Sequence, residues 1–369
     1  VPDMRRHRFA VPSDPFYATR PYDNAVTPSA GGPLVGQWYL KPPGLATATP
    51  TAGTPNTAPS AIDAEGAWDL TTGSSSIVVA VLDTGIRFDH ADFRTAGNGG
   101  NLLPGYDMIS GDSDGTFTTS NDTDGRDADA SDPGDFVVAG DAGKGGCTAA
   151  DITSSSWHGT ETAGLIGAVT DNGTGIASVG RNIGVLPVRV LGRCGGYDSD
   201  IIAGMEWAAG LIVPGVPVNT HRAQVINLSL GGVGACSAAY VDAVAQVNAQ
   251  GTVVVASAGN SAGHAVSTPA NCPGVIGVAG LRHIGTKVGF SDLGPEISIS
   301  APGGNCVNLG AGSPCLYPIM TTSNSGTTTP VANSAGGSIY SDAFVASIGT
   351  RFSAPRSAAS RVGKECRSR

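Results

Sequence analysis

The sequence predicts an α/β fold, a three-layer sandwich built on a mostly parallel sheet. Apolar runs of strand length recur at residues 77–82, 183–191, 224–230, 252–258 and 275–279. These runs are near-continuous in Val, Ile, Leu and Ala, as expected of strands covered on both faces. Helix-length segments at 159–169, 199–211 and 237–250 fall between them, which is the spacing of crossover connections. In such sheets chemistry gathers just beyond the carboxyl ends of the strands.

Taken in order, residues 1–62 are rich in Pro, Thr and Ala and carry one aromatic patch, Gln37-Trp38-Tyr39-Leu40. They read as an N-terminal arm lying over the domain, with a flexible stretch near Thr47–Ser60. The domain proper is expected over 63–350. Its first strand, Ile77–Leu82, delivers Asp83 followed by Thr84-Gly85. An acidic insertion, 107–141, precedes a helix opened by Trp157-His158-Gly159. The run at 224–230 leads into Gly231-Gly232, and the run at 252–258 delivers Gly259-Asn260.

Charge is distributed unevenly. The 369 residues hold 21 Lys+Arg and 30 Asp+Glu, for a net −9. The insertion contains ten Asp and a single base, Arg126, and so equals the whole net charge. Beyond Arg5-Arg6-His7-Arg8 at the start, no Lys/Arg cluster occurs before residue 350, so a nucleic-acid face is not expected. No apolar run reaches the roughly 18 residues of a membrane span. The reading is a soluble monomer, loop-rich because Gly and Pro number 54 and 24. None of the seven Cys shows C-x-x-C spacing, so zinc is not expected. Cys147, Cys194, Cys236, Cys272, Cys306 and Cys315 read as disulfides of an exported protein. They could pair sequentially, although fifteen connectivities are open. The chain starts at Val1 without a signal pattern, so a targeting segment is expected to have been removed.

Three strand-end or helix-start residues could carry chemistry. Asp83 could hold a ribose, cap a helix or orient a base; no G-x-G-x-x-G turn supports a nucleotide. His158 could face a cleft from a helix start or be an ordinary surface histidine. Asn260 could donate to an oxyanion or simply make a Gly-Asn turn. Together, and in this order, these segments resemble the subtilisin family of serine proteases. The motifs are Val81-Leu82-Asp83-Thr84-Gly85, His158-Gly159-Thr160 with Ala163-Gly164, Asn227-Leu228-Ser229-Leu230-Gly231-Gly232, and Ala258-Gly259-Asn260. The resemblance covers about residues 60–355 and is closest in style to the secreted bacterial members.

The resemblance implies a triad mechanism on protein or peptide substrates. Asp83 would hold the imidazole tautomer, and His158 would act as general base and then general acid. Asn260 would donate to the oxyanion. Ser229, Leu230 and Gly231 would pair with an extended substrate. Ala256 to Gly259, with Ala258 and Gly259 foremost, would line a pocket for a large apolar side chain, helped by loops near 262–272. The family also implies synthesis as a zymogen.

One motif departs. Gly349-Thr350-Arg351-Phe352-Ser353-Ala354-Pro355 fits the nucleophile segment except that Arg351 stands at the serine position. A guanidinium stays protonated and offers no lone pair. Ser353 should face elsewhere on the expected helix. Residues 351–369 hold six bases, against fifteen in the preceding 350, and lack an apolar stripe between Arg356 and Arg361. Cys366, the odd seventh, falls there too. An aberrant or truncated tail, as from a frameshift, accounts for all three features. Without that tail the body would carry −14. The alternative reading is a non-catalytic peptide-binding pseudoprotease using the Ser229–Gly231 strand.

The insertion suggests calcium. Asp122, Asp124, Asp127 and Asp129 alternate around Gly125, and hard cations take six to eight oxygen ligands. A solvated acidic loop is the plain alternative. Few bases stand nearby in sequence, which favours a cation. Asp92 matches the family's calcium-binding acid, and Gln37 is expected to join it.

Overall fold

The computed structural model describes residues 11–18, 36–44, 57–305, 317–341 and 348–365. The strands at the centre of the fold are β1 (Val78–Asp83), β2 (Tyr106–Asp107), β3 (Gly184–Arg189), β4 (Val225–Leu228), β5 (Val253–Ser257), β6 (Val275–Leu281) and β7 (Ile297–Pro302). They form one sheet in the order β2-β3-β1-β4-β5-β6-β7, and every pairing is parallel. The predicted α/β class holds.

Both faces of the sheet are covered, which explains the continuous apolar runs. In β1, Ala80 and Leu82 face one cluster with Ile201, Met205, Tyr240 and Val244. Val79 and Val81 face the opposite cluster with Ala163, Ile166, Ala354 and Ala358. Successive strand residues point to opposite faces, so one strand feeds two cores. The covering helices are α3 (His158–Gly167), α4 (Asp198–Ala208) and α5 (Ala238–Ala249), within three residues of the predicted segments. Two short helices, α1 (Pro15–Ala18) and α2 (Ala64–Trp68), precede them.

Parts of the N-terminal arm pack firmly. Tyr17, Trp38, Tyr39 and Leu40 are buried in a third cluster with Trp68, Leu165 and Phe352. Most of the stretch expected to be flexible near Thr47–Ser60, residues 47–56, lies outside the described residues. Cys147 pairs with Cys194 and Cys236 with Cys272, as sequential pairing would have it. Cys306, Cys315 and Cys366 lie outside the described residues.

Several elements were not legible as strands or helices. Strand β7 alternates and exposes three residues, so it lacks an apolar run. An antiparallel hairpin, β8 (Thr321–Asn324) with β9 (Ser338–Ser341), is Thr/Ser-rich and sits against α3. Helix α6 (Ser353–Glu365) occupies ground where no apolar stripe was found. Its first turns are held by Phe352, Ala354 and Ala358, so small residues at i and i+4 suffice there. Arg356 shares that buried turn, only 1% exposed. It donates to the Pro302 carbonyl and stacks 4.5 Å over the Tyr39 ring, while Nε and Nη1 find no partner. Burial pulls its guanidinium down to about 9.

A second buried charge sits on α3. Glu161 is 2% exposed beneath the hairpin, with the Ser323 hydroxyl 3.5 Å from its carboxylate. Burial pushes it up to about 8, against an opposing pull from Arg351.

These two groups give opposite tests. Arg356→Leu should raise stability by about 1–3 kcal/mol, because a buried, half-satisfied cation is replaced by hydrocarbon. Chemical denaturation measures this, and a lowered midpoint would mean that the contact with Tyr39 holds α6 in place. Glu161 is protonated in the fold and ionised when unfolded between pH 4.5 and 8. Its contribution is therefore full below pH 4.5 and lost as pH rises through 8. Glu161→Gln should make the fall in stability across that window shallower by up to about one proton.

Candidate active site

Four strand ends and one helix start converge on a single cleft of about 850 Å³. Asp83 ends β1 and is 1% exposed. Its Oδ1 accepts from the Thr84 amide at 2.8 Å and faces His158 Nδ1 at 2.6 Å. The Thr162 hydroxyl reaches Oδ2 at 3.1 Å. A carboxylate in this setting only accepts, so Nδ1 carries the proton and Nε2 keeps its lone pair.

The backbone makes this contact possible. A Cβ on Gly159 would run into the Gly85 carbonyl, so only glycine lets α3 come this close to β1. Trp157, just before His158, adopts φ of 54°, in the left-handed region that costs a bulky residue about 1–3 kcal/mol. Its indole donates to the Gly326 carbonyl at 2.7 Å, which helps hold that turn. The His158 amide donates to Ser156 Oγ at 3.2 Å.

Asn260 lies across the cleft. Its Oδ1 accepts from both the amide and the hydroxyl of Thr350 at 3.0 Å, which leaves Nδ2 as its donor. Ser229 Oγ donates to the Arg351 carbonyl at 2.8 Å and accepts from Asn227 Nδ2 at 2.9 Å. The backbone of 350–351 is thereby pinned from β4 and from the loop after β5. His158, Ser229, Leu230, Gly231, Gly259, Asn260 and Arg351 all line the cleft.

Other expected residues lie elsewhere. Ala256 and Ala258 are fully buried in the core beneath the sheet's end, so the pocket wall here is Ser257 and Gly259 with Ser267 and Thr268. Small apolar residues at a strand end point into the core as readily as into a cleft. Ser353 is buried and donates to the carbonyls of Ala301 and Pro302 at 3.0 and 3.2 Å, away from the cleft.

Part of the acidic insertion is paired from outside its own sequence. Arg189 of β3 pairs with Asp107 and Asp122, and Arg193 pairs with Asp141. Arg126 pairs with Asp200 on α4. The scarcity of bases in the sequence neighbourhood was therefore a poor guide. Asp127 and Asp129 each accept a backbone amide two residues on, at 2.8 and 2.9 Å. Among the described residues, no group of three or more His, Cys, Asp or Glu is gathered as a metal would need. Even so, Asp122, Asp124, Asp127, Asp129 and Asp132 line one cavity of about 500 Å³, and Asp122 Oδ1 is buried without a partner. These carboxylates are oxygen donors of the kind a hard cation takes, lining one cavity without being gathered into a ligand set.

Gln37 does not. Its Oε1 accepts from the Ala177 amide at 2.7 Å, and its Nε2 donates to the Ala177 carbonyl at 2.7 Å and to Tyr39. Asp92 is fully buried beside that segment and accepts from Asn172 Nδ2 at 3.0 Å and the Ile176 amide at 2.8 Å. Burial lifts it to about 7, as for a carboxylate lacking a counter-charge.

Residues that sequence reasoning passed over are small hydroxyls: Thr84, Thr162 and Thr350. Their types carry no chemical signal alone; adjacency to Asp83 and to Gly349 was the only clue.

The profile of the Subtilase family matches residues 74–360. An extracellular protease of Xanthomonas campestris pv. campestris is 45% identical over 265 residues, covering 72% of this chain and 41% of that protein. An extracellular basic protease of Dichelobacter nodosus is 40% identical over 248 residues, covering 67% and 39% respectively. The chain thus spans about two fifths of the length of these relatives. A solved protease structure from Pseudoalteromonas arctica superposes with a TM-score of 0.72 at 38% identity, covering 96% of this chain and 86% of that one. With the family profile spanning most of its length, the chain belongs to the subtilase family.

Proposed function

We propose that this chain derives from an exported serine endopeptidase lineage acting on proteins or peptides, with Asp83, His158 and Asn260 as its site and Arg351 standing where the nucleophile belongs. The observation that carries the reading is the 2.6 Å Asp83–His158 contact, opening onto a cleft whose far wall offers Asn260. Export is supported by the two disulfides and by the extracellular relatives.

In a chain with serine at 351, the hydroxyl would attack the scissile carbonyl while His158 Nε2 takes its proton. Asp83 would stabilise the resulting imidazolium through Nδ1. Asn260 Nδ2 would donate to the oxyanion, an effect of about 3–4 kcal/mol where such donors have been removed. His158 would then protonate the leaving amine, and water would release the acyl group by the same path reversed. Residues 229–231 would hold the substrate backbone by strand addition. With Arg351, the acylation step has no nucleophile and the later steps have no acyl group to act on.

The second reading is a peptide-binding pseudoprotease, favoured by Arg351 itself beside an intact 229–231 segment. The basic, Cys-bearing tail favours an aberrant reading frame instead. Sequencing the coding DNA around codon 351 separates them: a frame restoring Gly-Thr-Ser and an Ala-rich helix supports the enzyme. Arg351→Ser, combined with an apolar helix after Pro355, should bind diisopropyl fluorophosphate covalently and cleave peptides, while the unaltered chain does neither. A folded variant that does neither would refute the assignment.

Calcium is the cofactor of this reading, taken by the cavity of Asp122, Asp124, Asp127 and Asp129, with Asp92 as a separate candidate ligand. It would screen carboxylates that Arg189 only partly offsets. Addition of a chelator should lower the melting temperature. An unchanged melting temperature removes calcium from the account.

A further inference from the structure

We infer that Asp132 is a positioning residue for the Asp83–His158 couple, acting through Thr84. The inference rests on the reading of that couple as catalytic.

Asp132 stands where the acidic insertion rejoins the sheet's carboxyl end, and it is 1% exposed. Its amide donates to the Ile86 carbonyl at 3.0 Å, and its carbonyl accepts from Arg87 Nη1 at 2.9 Å, so its backbone is fixed beside the turn after β1. Its carboxylate reaches neither His158 nor substrate. Oδ1 accepts from the Gly134 amide at 2.8 Å, and Oδ2 accepts from the Thr84 hydroxyl at 2.7 Å.

Thr84 touches both halves of the couple. Its amide donates to Asp83 Oδ1 at 2.8 Å, the oxygen that also faces His158 Nδ1. Its hydroxyl oxygen accepts from the Gly159 amide at 3.0 Å, in the first turn of α3 and next to His158. A hydroxyl has one proton. Because Asp132 takes it, the lone pairs of Thr84 are turned to Gly159, and α3 is docked on β1 by a hydrogen bond with a fixed direction. An amide at 132 offers one acceptor oxygen for two donors, the Gly134 amide and the Thr84 hydroxyl, and an apolar group offers none, so the docking loses its direction. Misplacement of a catalytic group by about 1 Å costs up to about 100-fold in rate.

The test uses the full chain, which needs no nucleophile for it. The imidazole ¹⁵N shifts of His158 report which nitrogen is protonated. The unaltered chain should show the Nδ1–H tautomer. Asp132→Asn and Thr84→Val should each convert it to a mixture, Thr84→Ser should preserve it, and the double variant should be no worse than either single one, since both act through one hydrogen bond. In the chain with the serine restored, Asp132→Asn should lower kcat at least about 10-fold with KM unchanged. If Asp132→Asn does not fold, the Thr84→Val and Thr84→Ser pair decides. An unchanged tautomer in folded Thr84→Val, or additive effects in the double variant, overturns the inference alone. A His158 without the Nδ1–H tautomer in the unaltered chain overturns the couple itself.

Discussion

The site depends on how closely α3 approaches β1. The Asp83–His158 contact of 2.6 Å joins residues 75 positions apart, one at the end of a buried strand and one at the start of a helix. Glycine at 159 permits the approach, and the left-handed turn at Trp157 aims the histidine. Thr84 and Thr162 then saturate the Asp83 carboxylate, so the imidazole meets an acceptor that cannot reorient. The strain in this turn is offset by burial of the helix between the sheet and the Thr-rich hairpin.

The second half of the site is built to hold a backbone. Asn260 and Ser229 grip the main chain of residues 350–351 whatever side chain stands at 351. The segment thus keeps its place at the cleft while presenting a guanidinium. Helix α6 continues from it into the core on alanines, carrying Arg356 into a region where a cation has one hydrogen bond and an aromatic face. Burial that disfavours Arg356 and strand packing that favours α6 act on the same turn. Such a conflict between local chemistry and global fold is what a sequence foreign to its backbone would produce.

Much of this was legible in the sequence. Five of the seven sheet strands announced themselves as apolar runs, because burial on both faces demands it. Asp83, His158 and Asn260 were singled out by position at strand ends or a helix start; Asp83 and His158 meet, and Asn260 lines the same cleft as His158. The rest was hidden for physical reasons. Strand β7 lies at the sheet's edge and alternates Ile with Ser, and β2 spans two residues. Partners such as Arg189 for Asp122, or Asp132 for Thr84, are set by tertiary packing over 67 and 48 residues. Ala258 was expected at the pocket wall, but a strand-end alanine does not reveal which way it faces.

The central claim is that this cleft is a peptidase site lacking only its nucleophile. The most direct measurement is mass-spectrometric mapping of the acyl group left by a chromogenic ester on the variant bearing Arg351→Ser and an apolar helix. The account predicts acylation at position 351, abolished by His158→Ala. Acylation at another residue, or acylation of 351 that persists without His158, would contradict it.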